Sequence, residues 1–332
     1  MCARCFVSSD VAPRYSVAPR YSVVVPVYGN EDTLSALVDR LDDLAAGLDG
    51  GLETVFVVDG SPDRSLALLR DLLQGGRRFS SQLIALSRNF GSFNAIRAGL
   101  GEARGEYVAV MAADLQEPVS LIEEFFAALR AGDGDVAVGV RSARNDPASG
   151  ALASRLFWWL YRRLVQPEIP PGGVDVFACT GDVAGQLALL DESHTSLVGL
   201  LYWLGFRRVE VPYVRLARPA GKSAWSLRKR VQYLQDSIFS FTSLPIAAIT
   251  VVGVIGVIAS FVYAAVIIGF WAAGEIDVPG YTPLMLALLF MASSVLIGLG
   301  IVGSYVWHTY ENSKGRPSAV TMTHERFGPN GA

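Results

Sequence analysis

Two long stretches of the chain carry no charged side chain, and no other feature restricts the fold as severely. The first runs from Ser237 to Gly274. The second runs from Val278 to Tyr310, with His308, neutral at pH 7, as its one basic group. Each exceeds the ~20 apolar residues needed to cross a bilayer. Two buried helices of a soluble core are the competing reading, but cores rarely need helices of this length. The apolar excess of the chain, 51% hydrophobic residues and mean hydropathy +0.35, is concentrated here. The spacing predicts transmembrane helices over 243–273 and 283–308, joined by a loop over 274–282. Arg228, Lys229 and Arg230 precede the first span and Lys314 and Arg316 follow the second, whereas Glu275 and Asp277 lie between them. That distribution predicts an inner (plasma) membrane protein, multi-pass, with both ends cytoplasmic and the loop outside.

The rest of the 332-residue chain reads as a soluble front end. Its first residues, 1–20, lack the apolar core of a signal peptide and carry part of a short tandem repeat, Ala-Pro-Arg-Tyr-Ser-Val, begun at Ala12 and again at Ala18. They are expected as a flexible tail. Three cysteines, Cys2, Cys5 and Cys179, make no disulfide framework and fit a reduced compartment. A net charge of −3 offers no footprint for nucleic acid.

From Tyr21 onward, apolar runs alternate with helical periodicity. Strands are expected at Tyr21–Tyr28, Glu53–Val58, Gln82–Leu86, Glu106–Ala112 and Asp135–Val140, with helices between the first four. Such alternation predicts an α/β domain with a doubly wound, mostly parallel sheet. Ligands of such sheets bind outside the carboxyl ends of the strands. Tyr28, Asp59, Ser61, Asp63, Arg88, Asn89 and Asp114 all follow strands and are expected on that one edge. The glycine cradle of phosphate-binding loops and the dinucleotide fingerprint are both missing. A nucleotide here would be held by acidic side chains and a divalent metal, for which Asp114 and Gln116 are the candidate ligands.

Val25-Pro26-Val27-Tyr28, Val58-Asp59-Gly60-Ser61-Pro62-Asp63, Leu86-Ser87-Arg88-Asn89-Phe90-Gly91 and Ala113-Asp114-Leu115-Gln116-Glu117-Pro118 resemble, in order and spacing, the motifs of family-2 glycosyltransferases. The resemblance is to the polyprenyl-phosphate branch, which includes dolichyl-phosphate mannose synthase and bacterial undecaprenyl-phosphate transferases. It covers about residues 21–310. It implies a GT-A-type catalytic domain over 21–224 and transfer of a sugar from a nucleotide-sugar donor, UDP-hexose by default, to polyprenyl phosphate with inversion. It further implies Mg²⁺ or Mn²⁺ as cofactor, and a homo-oligomer, a tetramer in some resembled enzymes. Asp114 and Asp175 are the essential carboxylates so implied. Pro26, Tyr28, Asp59, Ser61, Arg88 and Ala113 are the implied contacts of the donor nucleotide. The chain departs from the family at Val58 and Ala112, where aspartates are usual.

Six features complete the expectation. Arg141 ends the fifth strand and is suited to bidentate phosphate recognition, and the resemblance puts it near the lipid phosphate, with Arg155 assisting. An amphipathic segment over about 151–166 mixes Trp158 and Trp159 with Arg162 and Arg163, as at a headgroup boundary. Arg218, Lys222 and Ser223 flank Gly221 in a basic loop offering phosphate donors, and the resemblance implies that it closes over a diphosphate. An amphipathic juxtamembrane helix follows over 225–242, and 309–332 is expected as a cytoplasmic tail. The Q-x-x-R-W signature of processive polysaccharide synthases is absent, which argues against polymerisation.

Plainer readings stay open from the residues alone. Asp114 could cap a helix, Asp175 could be a turn residue, and the arginine-bearing loops could be solvated turns. The 151–166 segment could simply dock on its own domain. Three other functions compete: a catalytically weak or dead scaffold, a transferase to a non-polyprenyl acceptor, and a small transporter. The last lacks any intramembrane charge to mark a substrate path.

Overall fold

The computed structural model describes residues 18–143, 158–170, 173–192, 195–216, 227–273 and 281–329. The chain opens with β1 (Tyr21–Val27), α1 (Glu31–Gly47), β2 (Leu52–Val58), α2 (Ser65–Gln74), β3 (Ser80–Leu86), α3 (Ser92–Glu102), β4 (Tyr107–Val110), α4 (Val119–Ala131) and β5 (Val136–Ala143). It continues through β6 (Phe177–Thr180), α5 (Gly181–Leu189), α6 (Leu197–Trp203) and β7 (Arg208–Val214). It closes with α7 (Leu227–Phe241), α8 (Leu244–Ala272), α9 (Tyr281–Ser313) and β8 (Thr321–Phe327).

One eight-stranded sheet runs β7-β5-β6-β4-β1-β2-β3-β8. β1 pairs in parallel with β2 and β4, β2 with β3, and β5 with β7; β6 and β8 run antiparallel to their neighbours. The doubly wound, mostly parallel architecture expected from the sequence is present. β1, β2 and β3 are buried on both faces, which is why they read as near-continuous apolar runs rich in β-branched residues.

Alternation along β1 divides the core between two layers. Val23, Val25 and Val27 pack with Leu34, Leu37 and Leu41 of α1 and Phe125 and Phe126 of α4. Val24 faces the other layer, with Leu100 of α3 and Leu187 of α5. Beneath the strands, fully buried Glu53 accepts from Ser22 Oγ at 2.8 Å, Gln82 Nε2 at 3.0 Å and Arg104 Nε at 2.7 Å. This is a buried charge paired and hydrogen-bonded from three sides, the condition under which such burial is tolerated.

α7 is docked on this domain. Tyr233, Leu234, Ile238 and Phe241 pack against the second layer. Gly199 of α6 makes room for Phe241, because a Cβ there would come within 2.5 Å of the ring. Tyr161 stacks on Tyr233 with centroids 5.7 Å apart, and the Tyr233 and Ser196 hydroxyls are hydrogen-bonded. The described part of the amphipathic segment, helical over 158–164, therefore docks through buried Tyr161 while Trp159 stays 62% exposed. Docking on its own domain, one of the two sequence readings, therefore holds for the described residues of the segment.

α8 and α9, 29 and 33 residues long, are the two helices among the described residues long and apolar enough to cross a membrane. Neither candidate window is buried. At the far end of α9, the Lys314 amine lies 4.4 Å from the Tyr310 ring and 5.3 Å from Trp307, a grouping typical of membrane–water boundaries. The stretch assigned to a C-terminal tail contains β8, which pairs antiparallel with β3 and occupies that edge of the sheet. Glu325 of β8 accepts from both Nε and Nη2 of Arg70, at 2.9 and 2.5 Å. His324 Nε2 lies 2.7 Å from Gln82 Oε1.

Candidate active site

The loops after β1, β2 and β3 are woven together at the carboxyl edge. Ser61 Oγ donates to Asp63 Oδ1 at 2.6 Å and accepts from Gly29 N at 2.8 Å. Asp63 Oδ2 also accepts from Glu31 N at 3.2 Å. Burial opposes the Asp63 charge, but hydrogen bonds from Ser61, Ser65 and Glu31 outweigh it and hold the pKa below the usual range. Asp59 accepts from Phe90 N at 2.7 Å and from Gly91 N at 2.8 Å, one on each carboxylate oxygen. Burial raises its pKa, and those two N–H groups and the Arg88 charge offset only part of that. Gly60, at φ +58°, lets the two loops touch, since a Cβ there would lie 2.4 Å from the Arg88–Asn89 backbone. Arg88 sits over the Phe90 ring at 4.0 Å. Tyr28 is half exposed beside this weave, and Pro26 is partly buried at the end of β1.

The loop after β4 carries Ala113, Asp114 and Gln116. Thr33 Oγ1 donates to the buried Ala113 carbonyl at 2.7 Å, and Gln116 N donates to Asp114 Oδ1 at 3.3 Å. Between them Leu115 takes φ +58°, the one left-handed non-glycine among the described residues. α4 starts beyond, at Val119 after extended Pro118, and no side chain caps it. Asp114 is thus not the cap of that helix, which removes the plainer reading of it.

No cluster of three or more His, Cys, Asp or Glu side chains poised for a metal occurs among the described residues. Asp114 and Gln116 offer two hard oxygen donors at the sheet edge. That set fits a divalent cation which takes its other ligands from substrate phosphates and water. Glu117 next to them went unnoticed as a site residue in the sequence. It is 2% exposed, its Oε2 has no partner among the described residues, and its pKa is raised to about 7 by burial and then by the Asp114 charge. In the sequence it is one more polar residue of the motif before Pro118, and its burial leaves no mark there.

A third group lies at the ends of β5 and β7. The β5–β7 register slips between Arg141 and Ala143, so Ser142 is the extra residue of a bulge, its Oγ donating to the Tyr213 carbonyl at 3.0 Å. Arg141 forms an ion pair with Asp175, which precedes β6. Arg215 Nη1 lies 3.9 Å from the same Asp175 oxygen, and its Nη2 donates to Gln116 Oε1 at 2.6 Å. Burial raises the Tyr213 phenol pKa, partly countered by Arg141. Asp114, Gln116, Arg141 and Asp175, named from sequence, therefore stand in one network whose link is Arg215. Only its place just before the basic loop could have drawn attention to that residue. Arg155, Arg218, Lys222 and Ser223 lie outside the described residues.

A doubly wound sheet with acidic loops at one edge and an arginine–aspartate pair beside them is the architecture of a GT-A-type glycosyltransferase domain. The chain belongs to glycosyltransferase family 2: the model of Glycosyl transferase family 2 matches residues 22–184. An uncharacterized glycosyltransferase of Synechocystis sp. is 34% identical over 296 residues, 89% of this chain and 92% of its own length. The SfII prophage-derived bactoprenol glucosyl transferase of Shigella flexneri is 30% identical over 315 residues, 93% of this chain and 99% of its own. The chain is an enzyme of the glycosyl-transfer class.

Proposed function

We propose that this chain is a membrane-anchored, inverting transferase that moves a hexose from a nucleotide sugar, UDP-hexose in the first instance, to polyprenyl phosphate. The observation that carries the reading is the Arg141–Asp175 ion pair tied through Arg215 to the Asp114–Gln116 loop. It brings two guanidinium groups, of a kind suited to phosphate, next to a loop of hard oxygen donors, in a chain that goes on into two apolar helices. The bactoprenol glucosyl transferase named above supports the choice of acceptor.

In this reading Tyr28, Asp59, Ser61 and Arg88 contact the donor nucleotide, with Pro26 and Ala113 shaping its bed. Asp114 and Gln116 hold Mg²⁺ or Mn²⁺, which supplies Lewis-acid stabilisation of the departing diphosphate. Arg218, Lys222 and Ser223 add donors to the same leaving group. Arg141, with Arg155, grips the lipid phosphate, and Asp175 fixes the direction of Arg141. A phosphate oxygen is already ionised at pH 7, so the attack needs no strong general base. It displaces the nucleoside diphosphate in line, which inverts the anomeric centre.

β8 supports a definite topology. It follows the second apolar helix yet pairs with β3, so a crossing by α8 is undone by α9. We assign the sheet and β8 to the cytoplasmic side of the plasma membrane, in keeping with the basic residues on either side of the hairpin. The homo-oligomer implied by the family resemblance is retained, and light scattering in nanodiscs tests it.

The deciding experiment offers radiolabelled sugar nucleotides and decaprenyl or undecaprenyl phosphate to membranes with Mg²⁺, Mn²⁺ or chelator, comparing the native chain with Asp114→Asn. The expected product is a metal-dependent, acid-labile labelled lipid that the variant fails to make. No lipid product from any donor would overturn the proposal and favour a non-catalytic scaffold, with Ala112 and Val58 the residues to restore to aspartate.

A further inference from the structure

We propose that Arg215 is a positioning residue that couples the two halves of the site, holding the Gln116 carbonyl oxygen until a diphosphate draws its guanidinium away. The inference rests on the metal-assisted reading given above. Its basis is a latch between one glutamine and two consecutive residues at the end of β7. Arg215 Nη2 donates to Gln116 Oε1 at 2.6 Å, Leu216 N donates to the Gln116 main-chain carbonyl at 2.9 Å, and Gln116 Nε2 donates to the Leu216 carbonyl at 3.4 Å. Together these bonds clamp the loop that contains left-handed Leu115. Backbone of that kind persists where surrounding contacts hold it.

An amide oxygen already facing a guanidinium is a poor ligand for a second cation, because like charges a few ångströms apart repel. Metal at Gln116 and Arg215 at Gln116 therefore compete. A diphosphate resolves the competition. The planar fork of arginine matches phosphate oxygens in a bidentate fashion, and a diphosphate is a stronger partner than a neutral amide or a carboxylate 3.9 Å away. Arg215 Nε is buried and has no partner among the described residues, so one further donor is in reserve. Once the guanidinium turns to the diphosphate, Gln116 Oε1 is released to the metal. The metal and the nucleotide then bind with positive coupling, each easing the arrival of the other.

The test is a Mn²⁺ titration followed by electron paramagnetic resonance, on the full chain in nanodiscs, with and without UDP. Native chain, Arg215→Met and Arg215→Lys are compared. Loss of the latch should tighten Mn²⁺ binding in the absence of nucleotide by about tenfold, the worth of one charge-assisted hydrogen bond. The gain in Mn²⁺ affinity brought by UDP should shrink, and UDP itself should bind more weakly. Arg215→Lys, which keeps the charge without the fork, should fall between. Collapse of the loop would weaken both ligands, so opposite signs separate a latch from damage. Unchanged or weaker Mn²⁺ binding by Arg215→Met overturns the inference. If the native chain meanwhile makes labelled lipid, the proposed function stands and only the latch is lost; a native chain inactive with every donor sinks the function, and the Mn²⁺ comparison still decides the latch.

Discussion

Arg141, at the bulge that ends β5, is ion-paired with Asp175, which lies just before β6, so a residue suited to phosphate stands against a carboxylate. Removing either partner should act on the acceptor. Asp175→Asn keeps the shape and loses the charge that orients Arg141; kcat/KM for polyprenyl phosphate should fall by about 10²-fold. The donor KM should change little. Steady-state kinetics with each substrate varied in turn measures both, and an unaltered acceptor kcat/KM would refute the assignment.

Asp59 is spent largely on architecture. Asp59→Ala strands the N–H groups of Phe90 and Gly91, at a cost of roughly 1–3 kcal/mol. Asp59→Asn retains one acceptor oxygen and should lose about half of that. Thermal unfolding of the detergent-solubilised protein gives the ranking, native above Asn above Ala. If Asp59→Ala unfolds at the native temperature, the clamp is unimportant.

Glu117 should make stability depend on pH. Its folded pKa, raised to about 7 from the ordinary 4.5, means that the folded chain binds more protons than the unfolded chain between those values. The benefit of protonation is fully present below about pH 4.5 and is lost as pH rises through about 7, a change on the order of 3 kcal/mol. Glu117→Gln should flatten the profile in that window and raise stability at pH 8. Denaturant unfolding at a series of pH values checks the sign.

β8 protects the β3 edge. Glu325→Ala breaks a half-exposed pair and should shift hydrogen exchange in β3 only slightly. Ending the chain after Arg316 removes the strand, so the β3 amides facing it should exchange much faster, and the open edge should promote association. Equal β3 protection in the shortened chain would remove β8 from the account.

Much of the catalytic domain was legible because its strands bury both faces. Val23 to Val27, Val55 to Val58 and Leu83 to Leu86 announce themselves as apolar runs, and the polar residues after them could only fall on one edge. β8 was illegible for the opposite reason. Thr321, Met322, Thr323 and His324 lie on an edge with both faces largely solvated, so no apolar alternation marks them, and the Arg70–Glu325 pair joins residues at opposite ends of the chain. The site divides in the same way. Asp114 stands in a recognisable motif and Asp175 was implied by the resemblance, whereas Arg215 and Glu117 gain significance from neighbours distant in sequence or from burial, neither of which a linear reading supplies.

The strand order also sets a timetable for biogenesis. Translation delivers β8 only after both apolar helices have left the ribosome, so the sheet cannot acquire its eighth strand until the hairpin has been synthesised. The last strand of the sheet is thereby the last part of the domain to be made, and β3 keeps an open edge until it arrives.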